Sequence, residues 1–451
     1  MSFDFSNCLV QDYKKIFIVG LPLVFNNLSS IAVNVGDTLM VARFSEMHLA
    51  AIAIGSSVWI SLFLFGLGLI MAIGPLVAQF YGAKDFDAIK PVISQGFILA
   101  SIIALITFIL MRNFLPIYLF FGIGSMTAEL AQAYLDGLSI GVFPAFYYHV
   151  VKQASEGMGQ TIPILIVMVC CLPVNLCLNY LFIYGGLGIP SFGVEGCGFG
   201  SGIVFWIMFG LLITYSKFIS AHRLSYRNLT PTSFDMTRLK TILQLGYPIG
   251  LSLCLQTGLF SVLTLIVGRL GTLQSSAHQI VLNYSGFIFM VPLGLSMAIT
   301  VCVGQLIGKG EFNSSRRLAF SGILLCLMIS IFTAHISFFY PSFISSIYTE
   351  VTEIRELAIP LLKLAAFVQI GDALQTAASF ALRGMRDTKI PMIMNFVNYW
   401  VVGFSISYIL GVVLGYGVEG IWIGLVVALF CAGFCQILRL VYLSKNFDYL
   451  H

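Results

Sequence analysis

Three carboxylates lie within apolar stretches of this chain: Asp37, Asp136 and Asp372. An ionisable side chain at the centre of a bilayer costs about 2.5–3.5 kcal/mol on insertion scales and more in simulations, so it is normally kept for a proton, an ion or a charged ligand. Asp37 stands in the nearly unbroken apolar run from Ile16 to Val41. Asn175 and Asn179 are four residues apart, so on a helix they share one face. Two neutral amide oxygens beside one carboxylate suit a hard cation, and the Ser201 hydroxyl adds a further oxygen. These residues point to an ion or proton site at Asp37, Asn175, Asn179 and Ser201; if the ion is Na+, the first three would hold it. The plainer alternatives are a snorkelling carboxylate and interhelical amide hydrogen bonds. Asp372 lies deep in another apolar run, where a purely structural acid would be expensive, and reads as functional. Asp136 is roughly 12 Å from the outer end of its segment and reads as structural. Lys363 occupies its counterpart in the second half.

The elements that position these groups must cross a membrane. Hydrophobic residues make up 59% and charged residues 9%, with mean hydropathy +0.96. A soluble domain carries about 25% charged residues, so this chain could not cover a water-facing surface. Twelve apolar segments are predicted, near 16–41, 50–78, 92–112, 128–151, 162–184, 196–217, 241–267, 277–303, 318–340, 357–381, 391–413 and 420–440. Eighteen of the 23 Lys and Arg residues fall in one set of connections and tails, so both termini and the 218–240 loop are expected in the cytoplasm. Asp12, Glu156 and Arg383 are assigned to that side, in loops or tails. The first apolar run is too long for a signal-peptide core. The ten cysteines lie mostly inside apolar runs with no CxxC, which points to neither zinc nor a disulfide framework.

The two halves repeat. An offset of 226 places Gly20 and Pro22 on Gly246 and Pro248, Arg43 on Arg269, and Gln79 on Gln305. Further on, Gly193-Val194-Glu195-Gly196 recurs as Gly417-Val418-Glu419-Gly420. Six helices per repeat enter the membrane in the same sense, so the halves are expected to relate by a pseudo-twofold along the membrane normal. The expected fold is an all-α polytopic membrane protein of two six-helix bundles. Residues 1–217 form one lobe, 218–240 a cytoplasmic linker and 241–451 the other lobe.

Several stretches resemble the multidrug and toxic compound extrusion transporters, in the NorM-type bacterial branch. They are GLPLVFNNLSSIAVNVGDTLMVARF with Pro22 and Asp37, GPLVAQFYGAKD and its repeat VCVGQLIGKGE, LPVNLCLNYLFIYG followed by GVEGCGFGSG, and DALQTAASFALRGMRDTKIP. The resemblance spans essentially the whole chain. It implies export of cationic and amphiphilic organic compounds against inward H+ or Na+ by rocking of two lobes. It also places Asp37, Asn175, Asn179 and Ser201 in the family's first-lobe cation and proton network. In such relatives the acid matching Asp372 works with a glutamate on the seventh helix; the matching residue here is Gln256, which removes one formal charge. Leu263 stands where the repeat would place a second Asp37.

Tyr284, Phe287, Phe289 and Met290 cluster on the eighth segment, and their aromatic faces and thioether suit flat lipophilic cations. Pro22 can bend the first helix and link Asp37 to access. The rival readings fare less well. The loop YGAKDFDAIKP lacks the Gly/Asp/Arg-rich signature of the major facilitator type. A lipid-linked precursor flippase of the same superfamily usually has additional helices and more basic cavities. The six histidines show no ligand spacing, and no Walker-type phosphate loop occurs, so neither an enzyme nor an ATP-driven pump is indicated. The expected partners are organic cations or amphiphilic drugs, H+ or Na+, and membrane lipids. A monomer in a bacterial inner membrane is expected, with no cofactor, structural metal or nucleic acid.

Overall fold

Forty residues of α1, Phe5–Phe44, form one helix with Pro22 inside it. About 20 residues suffice to cross a bilayer core, so α1 extends well beyond it. The structure, a computed structural model, describes residues 5–186, 188–218 and 234–445. After α1 come α2 (Glu46–Ile70), α3 (Ile73–Gly82), α4 (Phe86–Arg112), α5 (Leu115–Phe120), α6 (Ser125–Ser139), α7 (Val142–Gly157), α8 (Ile162–Tyr184) and α9 (Val194–Phe218). The second half holds α10 (Met236–Gly268), α11 (Thr272–Gly308), α12 (Phe312–Phe339), α13 (Pro341–Tyr348), α14 (Thr352–Gly384), α15 (Lys389–Phe396), α16 (Phe404–Tyr408) and α17 (Gly417–Lys445). Residues Val397–Gly403 and Ile409–Val413, flanking α16, are π-helical.

Eleven stretches among the described residues are long and apolar enough to span a membrane. The segment predicted at 128–151 is also present, but Ile140 and Gly141 divide it into α6 and α7. The residues of the predicted 218–240 linker from 219 to 233, including Arg223 and Arg227, lie outside the described residues, as do both chain ends.

The chain packs as two compact units, Phe25–Gly250 in one and Met1–Val24 with Leu251–His451 in the other. This division differs from the one expected at 217 and 241. Both boundaries fall two residues past a helix proline, Pro22 in α1 and Pro248 in α10, at matching repeat positions. Each proline deletes an N–H from the helix ladder, which weakens the helix there. Glycines explain where the helix halves then pack. In the first unit a Cβ on Gly246 would overlap the Leu69 backbone, and Gly68 meets Gly250 backbone to backbone. The second unit uses the equivalent positions, with Gly20 against Leu295 and Gly294 against Val24. Small residues let membrane helices approach this closely.

The equivalent turns after α3 and α11 both need a left-handed residue. Gly310 supplies it with φ +77°, whereas the other half uses Lys84 at φ +58°. A side-chain residue in that region costs of order 1 kcal/mol. Because the Lys84 side chain is exposed, Lys84→Gly is expected to raise thermal stability by about 0.5–1 kcal/mol. A lowered unfolding midpoint in detergent would show instead that the Lys84 side chain contributes.

Candidate ion-coupling site

In the unit Phe25–Gly250, the second half of α1 meets α8 and α9 at Asp37. Asn179 Nδ2 donates to Asp37 Oδ1 at 2.6 Å and to Asn175 Oδ1 at 3.3 Å. The Ser201 hydroxyl donates to Asp37 Oδ2 at 3.3 Å. Asn175 and Asn179 are buried, and Asp37 and Ser201 half-buried. The four residues expected from the sequence therefore form one cluster. Tyr184 helps set it by donating its hydroxyl to the Met40 carbonyl at 2.7 Å, which ties α8 to α1 one turn from Asp37.

Gly200 makes room for the cluster. A Cβ there would overlap Asn179 Oδ1. Gly200→Ala is thus expected to push Asn179 away from Asp37 and to cost about 1–3 kcal/mol of stability, read as a lowered unfolding midpoint in detergent. An unchanged midpoint in that variant would show that the Asn179 contact is dispensable.

Within this cluster only Asp37 can change charge. The carboxylate can take up a proton or share a hard cation with the neighbouring oxygens. A proton on Asp37 would still leave Asn175 and Ser201 hydrogen-bonding capacity. For Na+, the oxygens on hand are both Asp37 Oδ atoms, Asn175 Oδ1 and the Ser201 hydroxyl. Asn179 Oδ1 is buried without a hydrogen-bond partner, and turning that amide over would bring it towards Asp37 as a further oxygen ligand. The residues therefore fit such an ion.

In the other unit, Asp372 on α14 is 9% exposed. Gln256 Nε2 on α10 donates to its Oδ1 at 3.2 Å, and the Thr376 hydroxyl lies 3.4 Å from the same atom. Gln256 thus meets Asp372 as a donor. The polar chain continues through residues that spacing alone did not single out. The Thr376 hydroxyl also lies 3.2 Å from Gln375 Oε1, and Gln375 and Gln436 both donate to Asn395 Oδ1, at 3.4 and 2.7 Å. Polar residues inside apolar runs were the available signal for this network. Leu263 sits in the apolar core of this unit beside Leu259 and Trp422, as the absence of an acid there requires.

Neither Asp37 nor Asp372 has a Lys or Arg within ion-pair distance among the described residues. Asp136 does, with Arg112 Nη1 at 3.7 Å, and it accepts from Gln132 at 2.9 Å. Lys363 is exposed on α14. Of the aromatic cluster on α11, Phe287 is 52% exposed and Phe289 and Met290 are half-buried. Tyr284 directs its hydroxyl to Ser337 at 2.9 Å, and Gln369 donates to the same Ser337 at 3.0 Å.

Three groups expected in loops or tails are instead buried in helices. Asp12 lies in α1 against Arg317. Glu156 lies in α7, 3.8 Å from Lys152 Nζ, because α7 runs on to Gly157 and packs there on Gly74. Its repeat counterpart Arg383 lies in α14 over the Phe380 ring, 4.2 Å from the centroid. His278 is also accounted for. The Trp422 indole donates to its Nδ1 at 3.0 Å, so its proton is on Nε2, facing Thr264 at 3.1 Å. No group of three or more His, Cys, Asp or Glu residues suited to a metal occurs among the described residues.

The MatE family model matches residues 22–181 and again 248–409, two copies that start at the repeat offset. The multidrug resistance protein MdtK of Yersinia enterocolitica is 32% identical over 445 residues, covering 97% of each chain. The probable multidrug resistance protein NorM of Pasteurella multocida is 34% identical over 447 residues, 97% of this chain and 95% of that one. Among solved structures, an outward-facing multidrug resistance transporter of the MATE family superposes with TM-score 0.87 at 20% identity, over 96% of this chain and 97% of that one. The Vibrio cholerae transporter VcmN in its bent form gives 0.86 at 16% identity, over 98% of both chains. The chain belongs to the MatE family of multi-pass membrane transporters, in its NorM-type branch, and is not an enzyme.

Proposed function

We propose that this protein exports cationic and amphiphilic organic compounds in exchange for inward H+ or Na+ by alternating access, with Asp37 as the principal coupling residue. The names of the MdtK and NorM relatives support drug efflux. The observation that carries the coupling is the convergence of Asn179 and Ser201 on the Asp37 carboxylate. A charge-changing group held by neutral donors can exchange a proton or a cation without a fixed counter-charge. The basic-residue asymmetry supports a bacterial inner-membrane setting with both termini in the cytoplasm.

The test is efflux of a cationic dye from vesicles with H+ and Na+ gradients imposed separately. At least one gradient is expected to drive it. Efflux that needs neither would overturn the proposal.

Asp372 is assigned the weaker role because its neighbours Gln256 and Thr376 reach one carboxylate oxygen only, whereas Asp37 is held on both. At an effective dielectric of about 20 and a separation of about 4 Å, a second carboxylate would add roughly 4 kcal/mol of attraction for a cation before desolvation. Gln256→Glu is therefore expected to introduce or strengthen Na+ dependence of efflux. An unchanged response to Na+ in that variant would show that charge at this position does not control ion choice.

A further inference from the structure

Lys15 on α1 and Lys309, which follows the last residue of α11, border a single groove of about 230 Å3. Ile18, Val19, Leu306 and Leu318 supply apolar lining, and no carboxylate lines it. Both lysines are exposed, and neither is in an ion pair among the described residues. The acid nearest in sequence to Lys15, Asp12, is already held by Arg317 at 2.8 Å. Glu311, two residues past Lys309, is exposed and not part of the lining. Lys14 and Arg316 add further positive charge to the neighbouring chain. The repeat does not dictate this pair: the matching positions in the other half are Thr241 and Ala83.

The location also matters. Lys309 marks the end of a 37-residue membrane helix, so the charged mouth lies at a polar boundary. One turn along α1 from Lys15, Ile18 is 60% exposed and available to hydrocarbon. We infer that this groove binds an anionic phospholipid, its phosphate between the Lys15 and Lys309 ammonium groups and an acyl chain along Ile18 and Val19. Two point charges without a carboxylate attract phosphate. A zwitterionic lipid would carry its own cation into the same positive field and gain less. The bound lipid would join the first half of α1 to α11 within one unit.

The test is native mass spectrometry of the full-length protein in detergent, with phosphatidylglycerol and phosphatidylethanolamine offered together. Wild type and Lys217→Gln, which alters a separate groove with a single lysine, are expected to retain phosphatidylglycerol preferentially. Lys15→Gln/Lys309→Gln should reduce that preference about tenfold or more, and Lys15→Arg/Lys309→Arg should keep it. A narrow, wild-type charge-state distribution in the same spectra shows that each variant is folded. Equal retention of the two lipids by wild type, or an unchanged preference in the double glutamine variant, would overturn the site. Transport plays no part in this readout, so its outcome is independent of the coupling proposal.

Discussion

Asp37→Asn is expected to reduce gradient-driven efflux at least about tenfold, a barrier change of roughly 1.4 kcal/mol or more. The substitution keeps the size of the side chain. The carbonyl oxygen of the new amide can still accept from Asn179, so the cluster that holds α1, α8 and α9 together is preserved. What disappears is the one group there able to alternate between charged and neutral. Substrate binding measured without a gradient should therefore survive while its coupled movement does not. Asp372→Asn is expected to have a smaller effect, because Gln256 and Thr376 reach only one oxygen of its carboxylate, at 3.2 and 3.4 Å, whereas Asp37 is held on both oxygens, the nearer contact at 2.6 Å. Efflux rates under each imposed gradient check both variants, and equal losses in the two would remove the distinction between the units.

The second large effect is on stability. Arg317→Ala is expected to cost about 3–5 kcal/mol. Asp12 is 1% exposed and receives Arg317 Nε at 2.8 Å and Nη2 at 3.4 Å, a two-pronged contact. Without the guanidinium, that carboxylate keeps only the Ser321 hydroxyl at 3.5 Å. A buried, unpaired charge is the costly product, more than the loss of the pair itself. Asp12→Ala should cost less, because the Arg317 side chain is 30% exposed and can turn to water. The double variant Asp12→Ala/Arg317→Ala should then recover part of the Arg317→Ala loss. Thermal unfolding in detergent measures all three. A wild-type midpoint for Arg317→Ala would mean that Asp12 is hydrated.

Asp12 also marks a limit of the sequence reading. It falls in the polar stretch before the first apolar run, which suggested a tail in water. The helix begins at Phe5, however, and its first half packs within the unit that it shares with Leu251–His451. Polarity signalled where the chain leaves hydrocarbon, but not where it leaves protein. The same reason hid Glu156 and Arg383, which are charged yet enclosed by neighbouring helices.

The Asp37 cluster was legible because two independent signals met. An acid is expensive in an apolar run, and amides at i, i+4 share a helix face. The chain from Gln375 to Asn395 and Gln436 was not legible, because its members come from three helices whose mutual facing is set only by packing. Helix number and repeat were readable from long apolar runs with Gly and Pro at a fixed offset. Hydropathy does not distinguish an intact helix from one interrupted at Met71–Ala72 or at Ile140–Gly141, nor an α turn from the π turns near Trp400. Division of α1 and α10 between the units depends on close backbone approach at Gly68 and Gly294. Those two glycines stand 226 residues apart in the sequence, but their partners Gly250 and Val24 are set only by packing.

The central claim is exchange through Asp37, and the most direct measurement is the ion movement that substrate itself drives. Vesicles containing the protein are given an outward gradient of a cationic substrate, with reporters for internal pH and Na+ and no ion gradient imposed. Wild type is expected to draw H+ or Na+ inward, Asp372→Asn to retain that movement, and Asp37→Asn to match protein-free vesicles. Substrate-driven ion entry of wild-type size in Asp37→Asn, or none in wild type, would contradict the account.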